Sequence, residues 1–181
     1  MNKLTIRRVE RNDVESCATL EKLCYSEIEA ATREYLAKRI EVYPDGFYVA
    51  ELDGRIIGMI NSGATHKDDI TDEELKNLVG HVRNGKNGVI FSLAVHPEFQ
   101  LRGIGRKLIE KIIRVLEEKQ KQKVVLLCKD DLIGFYSALG FSYGGRSRSN
   151  FGGFTWHQMY YELPLPAWMI TQHHNSASLE F

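Results

Sequence analysis

The segment Leu93-Ala94-Val95-His96-Pro97-Glu98-Phe99-Gln100-Leu101-Arg102-Gly103-Ile104-Gly105-Arg106 holds the residue types best suited to chemistry in this chain. An apolar run of strand type ends in a turn, and Gln-x-x-Gly-x-Gly then opens a periodic helix. A helix start exposes unpaired backbone N–H groups and the positive end of the macrodipole, so anionic oxygen is stabilised there. Gly103 and Gly105 let a ligand approach the backbone with no Cβ in the way. Arg102 and Arg106 flank the turn and can add charge-assisted contacts. The pattern predicts a pyrophosphate cradle.

Two familiar phosphate motifs are excluded. No G-x-x-x-x-G-K-[ST] is present, and no full G-x-G-x-x-G with an acidic residue some twenty positions on. The pattern [QR]-x-x-G-x-[GA], met by Gln100, Gly103 and Gly105, resembles the acetyl-CoA motif of the GNAT superfamily of N-acetyltransferases. Leu93-Ala94-Val95-His96-Pro97 is similar to that family's fourth strand and its exit. The resemblance implies that Leu93, Ala94 and Val95 pair with pantetheine through their backbone. It also implies that Gln100, Leu101, Arg102, Gly103, Ile104, Gly105 and Arg106 hold the rest of the donor, acetyl-CoA.

A second segment, Lys129 to Phe141, carries Phe135-Tyr136 and Gly140-Phe141, which match the family's short helix and the turn after it. Lys129 stands where the family commonly has Asn. The resemblance implies that Tyr136 sits by the thioester sulfur and protonates the departing thiolate; a phenol is neutral at pH 7 and can donate to charge on sulfur. Gly152-Gly153-Phe154-Thr155-Trp156-His157-Gln158-Met159, with Leu127 to Asp131 and Glu21 to Arg33, is similar to the arylalkylamine (serotonin-type) N-acetyltransferases and their bacterial relatives. In the animal enzymes two histidines on the fourth strand relay a proton. Here those positions are Val89 and Phe91, so that relay is absent.

A base is still required, since an alkylamine has a pKa of about 10 and is mostly protonated at pH 7. Glu27 stands where some insect relatives place a helical carboxylate, and is the first candidate. His81, His96, Ser92 and water remain open. His96 before Pro97 reads equally as a turn residue, and His157 faces either pocket or solvent. Tyr25, Phe91, Ser92 and Trp156 are the expected substrate-binding residues. An apolar Phe91 wall would favour the neutral amine by desolvation.

The surrounding pattern must position these groups. At 181 residues the chain is one domain by length, with 24 basic and 24 acidic residues. A balanced charge gives no attraction to nucleic acid, and the longest apolar runs are strand length, too short to cross a membrane. Cys17, Cys24 and Cys128 lack metal spacing and read as reduced thiols of a cytoplasmic protein.

Periodicity predicts a strand at Leu4–Val9 and helices from Asn12 or Asp13 to about Tyr25 and from Ala30 to Val42. Strands follow at Phe47–Leu52 and Arg55–Gly63, joined by the hairpin signal Asp53-Gly54. Thr71-Asp72-Glu73-Glu74 fits a capping box for a short helix near Asp72–Val82. Val89–Val95 is the central strand. Ile104, Leu108, Ile112 and Leu116, with Ile109 and Ile113, form the buried stripe of the next helix. A strand at Lys123–Cys128, a helix at Leu132–Leu139 and strands near Phe141–Gly145 and Thr155–Leu163 complete the domain.

The expected fold class is α/β (α+β): one mixed, mostly antiparallel, twisted sheet flanked by helices, as in the GNAT family. Residues 1–163 form the domain. The stretch 164–181 is expected to be a poorly ordered tail, with Trp168 and Met169 able to dock. The expected activity is transfer of acetyl from acetyl-CoA to a small primary amine in a ternary complex, with no metal. The partner is then a small molecule, with no nucleic acid or membrane and a homodimer left open. A protein lysine or N-terminal acetyltransferase and a non-catalytic acyl-CoA sensor are the alternatives.

Overall fold

The computed structural model describes residues 3–70, 77–78 and 80–164. Seven strands form one sheet in the order β1-β2-β3-β4-β5-β7-β6, with β1 Leu4–Arg8, β2 Phe47–Leu52, β3 Arg55–Thr65, β4 Asn87–Val95, β5 Lys123–Cys128, β6 Ser142–Arg146 and β7 His157–Glu162. Every neighbouring pair is antiparallel except β4 and β5, which are parallel. The mixed, mostly antiparallel sheet expected from the pattern is present. Asp53 and Gly54 both adopt positive φ, 50° and 80°, the two-residue turn geometry that Asp-Gly favours between β2 and β3.

Helices α1 Val14–Cys24 and α2 Arg33–Val42 cover one face of the sheet; α3 Ile104–Glu118 and α4 Ile133–Ala138 cover the other. Ile104, Leu108, Ile109, Ile112, Val115 and Leu116 of α3 are buried, the expected stripe. Each such side chain contributes about 1.5–3 kcal/mol by leaving water. The α2 helix begins later than the expected Ala30, because Thr32 is its N-cap and accepts a hydrogen bond from the Tyr35 N–H. The predicted capping box and most of the helix near Asp72–Val82 lie outside the described residues, as does the tail at 165–181.

Two irregularities open the sheet at its centre. β4 pairs with β5 over Asn87–Val89 and Lys123–Val125, after which the two strands are no longer paired. The β3–β4 register also shifts between Asn61/Ser92 and Ser62/Ile90, which makes Phe91 the extra residue of a bulge. Its ring rests where Gly63 leaves space: a Cβ on Gly63 would stand 2.4 Å from the Phe91 ring.

Candidate active site

Beyond Val89 the free edge of β4 faces a cavity of about 690 Å³. Its walls come from the end of α1 (Glu21, Cys24, Tyr25), from Glu29, from Val89–Leu93 and Val95, from Phe99–Leu101, and from the α3 start (Gly103–Arg106). The end of β5, α4 (Phe135, Tyr136) and Ser149, Phe151 and Trp156 close it. Of the expected donor-binding residues, Leu93, Val95, Gln100, Leu101, Gly103, Ile104, Gly105 and Arg106 line this space. Ala94 does not: its side chain is packed beneath α1, so only its backbone is available. Arg102 is exposed outside the lining, with its guanidinium 5.5 Å from the Phe99 ring centre.

The cradle follows from local backbone. Gly103 is the N-cap of α3 and adopts φ 78°, ψ 4°, the left-handed region that favours glycine. Nothing lies within 4 Å of where its Cβ would stand, so the space before the helix start is open. Gly103, Ile104, Gly105 and Arg106 line the cavity, so the first turn of α3, whose N–H groups lack intrahelical partners, lies at its wall, a place that suits an anionic group.

The edge of β4 is occupied by α1. The Tyr25 hydroxyl donates to the Leu93 carbonyl (2.6 Å) and accepts from the Leu93 N–H (3.2 Å). The Val95 carbonyl accepts from Cys24 Sγ (3.2 Å) and from Gln100 Nε2 (2.9 Å). One turn earlier on α1, Glu21 Oε2 accepts from the Ser92 hydroxyl at 2.8 Å, and its Oε1 accepts from the Ala31 N–H at 3.0 Å. Glu21 is 2 % exposed and Ser92 4 %.

Tyr136 is buried and its hydroxyl, at the cavity wall, makes no hydrogen bond with the described residues. Burial pushes its pKa well above the ordinary tyrosine value, with Tyr25 and Cys128 adding to the rise, so it stays protonated at neutral pH. A neutral donor with no competing partner is suited to a leaving sulfur.

The structure does not bring Glu27 to the cavity. It is exposed in the turn after α1 and outside the lining, because the chain turns outward once Tyr25 has anchored to Leu93. His81 accepts from the Ala64 N–H, and His96 accepts from the Glu98 N–H and meets Arg55 at 2.9 Å. His157 is buried against the Tyr143 hydroxyl and the Asp130 carboxylate. None of the three lines the cavity. The carboxylates that do are Glu21, Glu29 and Asp131. Glu29 is paired with Lys129 at 2.7 Å, and the Lys129 ammonium sits 3.8 Å from the centre of the Phe154 ring. Glu21 had one signal in sequence, a charge at helical spacing within the apolar stripe Cys17, Leu20, Cys24.

A mixed sheet that parts between its two central parallel strands, with a glycine-capped helix start lining the gap, is the architecture of the N-acyltransferases that take their acyl group from coenzyme A. Residues 14–141 match the acetyltransferase (GNAT) family, and the chain belongs to that family. It is 32% identical over 117 residues to the probable hydrolase YhcX of Bacillus subtilis, covering 60% of this chain and 22% of that protein. To the serotonin N-acetyltransferase of Mesocricetus auratus it is 27% identical over 118 residues, covering 65% of this chain and 56% of that one. The chain thus spans about a fifth and just over half of the lengths of these two relatives. The fold is similar to that of the GphF GNAT-like decarboxylase in complex with isobutyryl-CoA, with a TM-score of 0.80 at 18% identity over 88% of this chain and 100% of that one.

Proposed function

We propose that this chain transfers acetyl from acetyl-CoA to a small primary amine, with donor and acceptor bound together. The observation that supports it most is that one cavity joins the α3 helix start, the free edge of β4 and the Tyr136 hydroxyl. The residues present suit the donor. The first turn of α3 with Gly103 and Arg106 would hold the pyrophosphate. The Leu93 and Val95 backbone groups would pair with the pantetheine amides, and the thioester supplies an activated acyl carbon.

Tyr136 holds the proton that the departing sulfur takes. Phe91, Phe151 and Trp156 wall the acceptor side with apolar surface, which favours an amine carrying an aromatic or alkyl body. Likeness to a serotonin N-acetyltransferase adds support for an arylalkylamine. Three unpaired cysteines support a reducing, cytoplasmic setting.

The test is steady-state thiol release from acetyl-CoA with 2-phenylethylamine, butylamine and a lysine peptide as acceptors. Saturable release with the small amines, exceeding that with the peptide, is the expected result. A protein that binds acetyl-CoA but releases thiol with none of them above the hydrolysis rate sinks the reading. Release with the peptide alone would assign it to protein acetylation.

A further inference from the structure

We propose that Glu21, acting through Ser92, binds the ammonium group of the acceptor and receives the proton its nitrogen must lose; this rests on the amine-transfer reading above. Three inward residues at the end of α1 and its C-cap meet three positions of β4: Glu21 on Ser92, Tyr25 on Leu93 and Cys24 on Val95. Ser92 lies beside the Phe91 bulge, and both Ser92 and Glu21 face the cavity. The Ser92 hydroxyl thus links the cavity to a carboxylate.

Burying a carboxylate is costly without compensation. Here it is offset on the side away from the cavity by Arg39, 4 % exposed, which feels the Glu21 charge and donates to Asn61 Oδ1 at 2.8 Å. Its guanidinium lies 5.1 Å from the Phe91 ring centre. Such an arrangement holds an anion at an apolar wall, where an alkylammonium can meet it with little competition from water. Glu29, also at the wall, is paired with Lys129 and Ser26, and Glu27 lies exposed outside the cavity.

The proton inventory closes. The bound ammonium loses one proton to Ser92 Oγ as the Ser92 proton passes to Glu21 Oε2. The neutral nitrogen forms the amide C–N bond as the donor C–S bond breaks. Its second proton replaces the one that Tyr136 gives to sulfur, and Glu21 returns its proton to water.

Among the interactions described, the titratable groups that act on Glu21 are Cys17 and Cys24 on its own helix, Tyr25 at the helix end and Arg39 on α2, while its hydrogen-bond partner on β4, Ser92, does not titrate. Burial pushes both thiols and the phenol up, Cys17 to about 12, and pulls Arg39 down to about 10. None of them changes charge between pH 6 and 9.

The experiment compares wild type with E21Q, S92A and S92T. Binding of 2-phenylethylamine to the CoA-saturated protein is followed by calorimetry, and thiol release from pH 6 to 9 with the same amine. E21Q keeps an acceptor for the Ala31 N–H, and melting temperatures confirm that each variant is folded. Expected are acetyl-CoA affinity within about twofold of wild type, amine binding roughly 10–100-fold weaker in E21Q, and kcat at pH 7 lower by roughly 10²–10⁴ in E21Q and S92A. The E21Q rate should then climb about tenfold per pH unit toward the amine pKa of about 10, more steeply than wild type; S92T restores the rate.

A pH-independent loss in E21Q, or wild-type behaviour, overturns the proposal, and so does absence of amine binding to wild type at millimolar concentration. Binding that depends on Glu21 without thiol release from any acceptor leaves the ammonium site standing and removes the transferase reading. Thiol release unaffected by E21Q does the reverse.

Discussion

The Tyr25 hydroxyl satisfies both backbone groups of Leu93, donating to its carbonyl at 2.6 Å and accepting from its N–H at 3.2 Å. These groups lie on the unpaired edge of β4, where a pantetheine amide would form the same two bonds. On the proposed mode of donor binding, Tyr25 occupies the donor's place and would withdraw when the donor enters.

Replacing Tyr25 with Phe removes that competitor and leaves the Leu93 groups facing a cavity that water can enter. Each such bond contributes about 1 kcal/mol net. The expected result is acetyl-CoA binding that is tighter by roughly three- to tenfold in calorimetry. Equal or weaker binding in the folded variant would mean that Tyr25 supports the donor instead of displacing it.

The two glycines of the cradle should behave differently. Gly103 is left-handed at the α3 start, and a β-branched side chain there costs about 1–2 kcal/mol in backbone strain alone. Gly105 lies within α3, and a Cβ there would meet Phe135 at 3.5 Å, an ordinary contact. G105A should therefore melt within a few degrees of wild type. G103V should melt lower and also lose acetyl-CoA affinity, since its side chain enters the anion site. Unchanged affinity in folded G103V would move the pyrophosphate elsewhere.

The glycine turn before α3 and the placement of Tyr136 at the cavity are legible in sequence because both are local: a glycine spacing before a helix, and a tyrosine set by its own short helix. The placement of Glu21, the proposed proton acceptor, is not. Glu21 reads as an ordinary helical charge until Ser92, 71 positions away, is placed against it beside the β4 bulge. Tyr25 was expected at the acceptor wall, but its bond to Leu93 spans 68 positions and no periodicity announces it. Glu27 drew attention by resemblance in a turn whose direction depends on that same anchor. Strand and helix periods fixed the sheet, while the opening between β4 and β5 came from tertiary pairing.

Tyr136→Phe keeps the ring packed against Phe135 and Phe141, whose centres are 5.0 and 5.6 Å away, and removes only the proton donor. Acetyl-CoA affinity should stay within about twofold. Turnover should fall roughly 10²–10⁴-fold, the usual range for a lost general acid. Single-turnover rates at wild-type level would leave water as the proton source for the thiolate.

Lys129 occupies the position where the family commonly has Asn, and it bridges Glu29 to the Phe154 ring. Burial raises the Glu29 pKa, but hydrogen bonds from Lys129 and Ser26 outweigh it and hold the group below its ordinary value near 4.5. A carboxylate depressed in the folded state adds stability that is present above its unfolded pKa and lost as pH falls through the folded one. Lys129→Met removes the larger of those bonds and keeps the aliphatic stem on Phe154. Since the Lys129 side chain is one-third exposed, solvent screens the pair, and the loss at pH 7 should be about 1 kcal/mol. Urea unfolding should show that gap at pH 7 and its narrowing as acid protonates Glu29, below the unfolded carboxylate pKa and through the depressed folded one. A gap that does not narrow on acidification would assign the role of Lys129 to its contact with the aromatic ring.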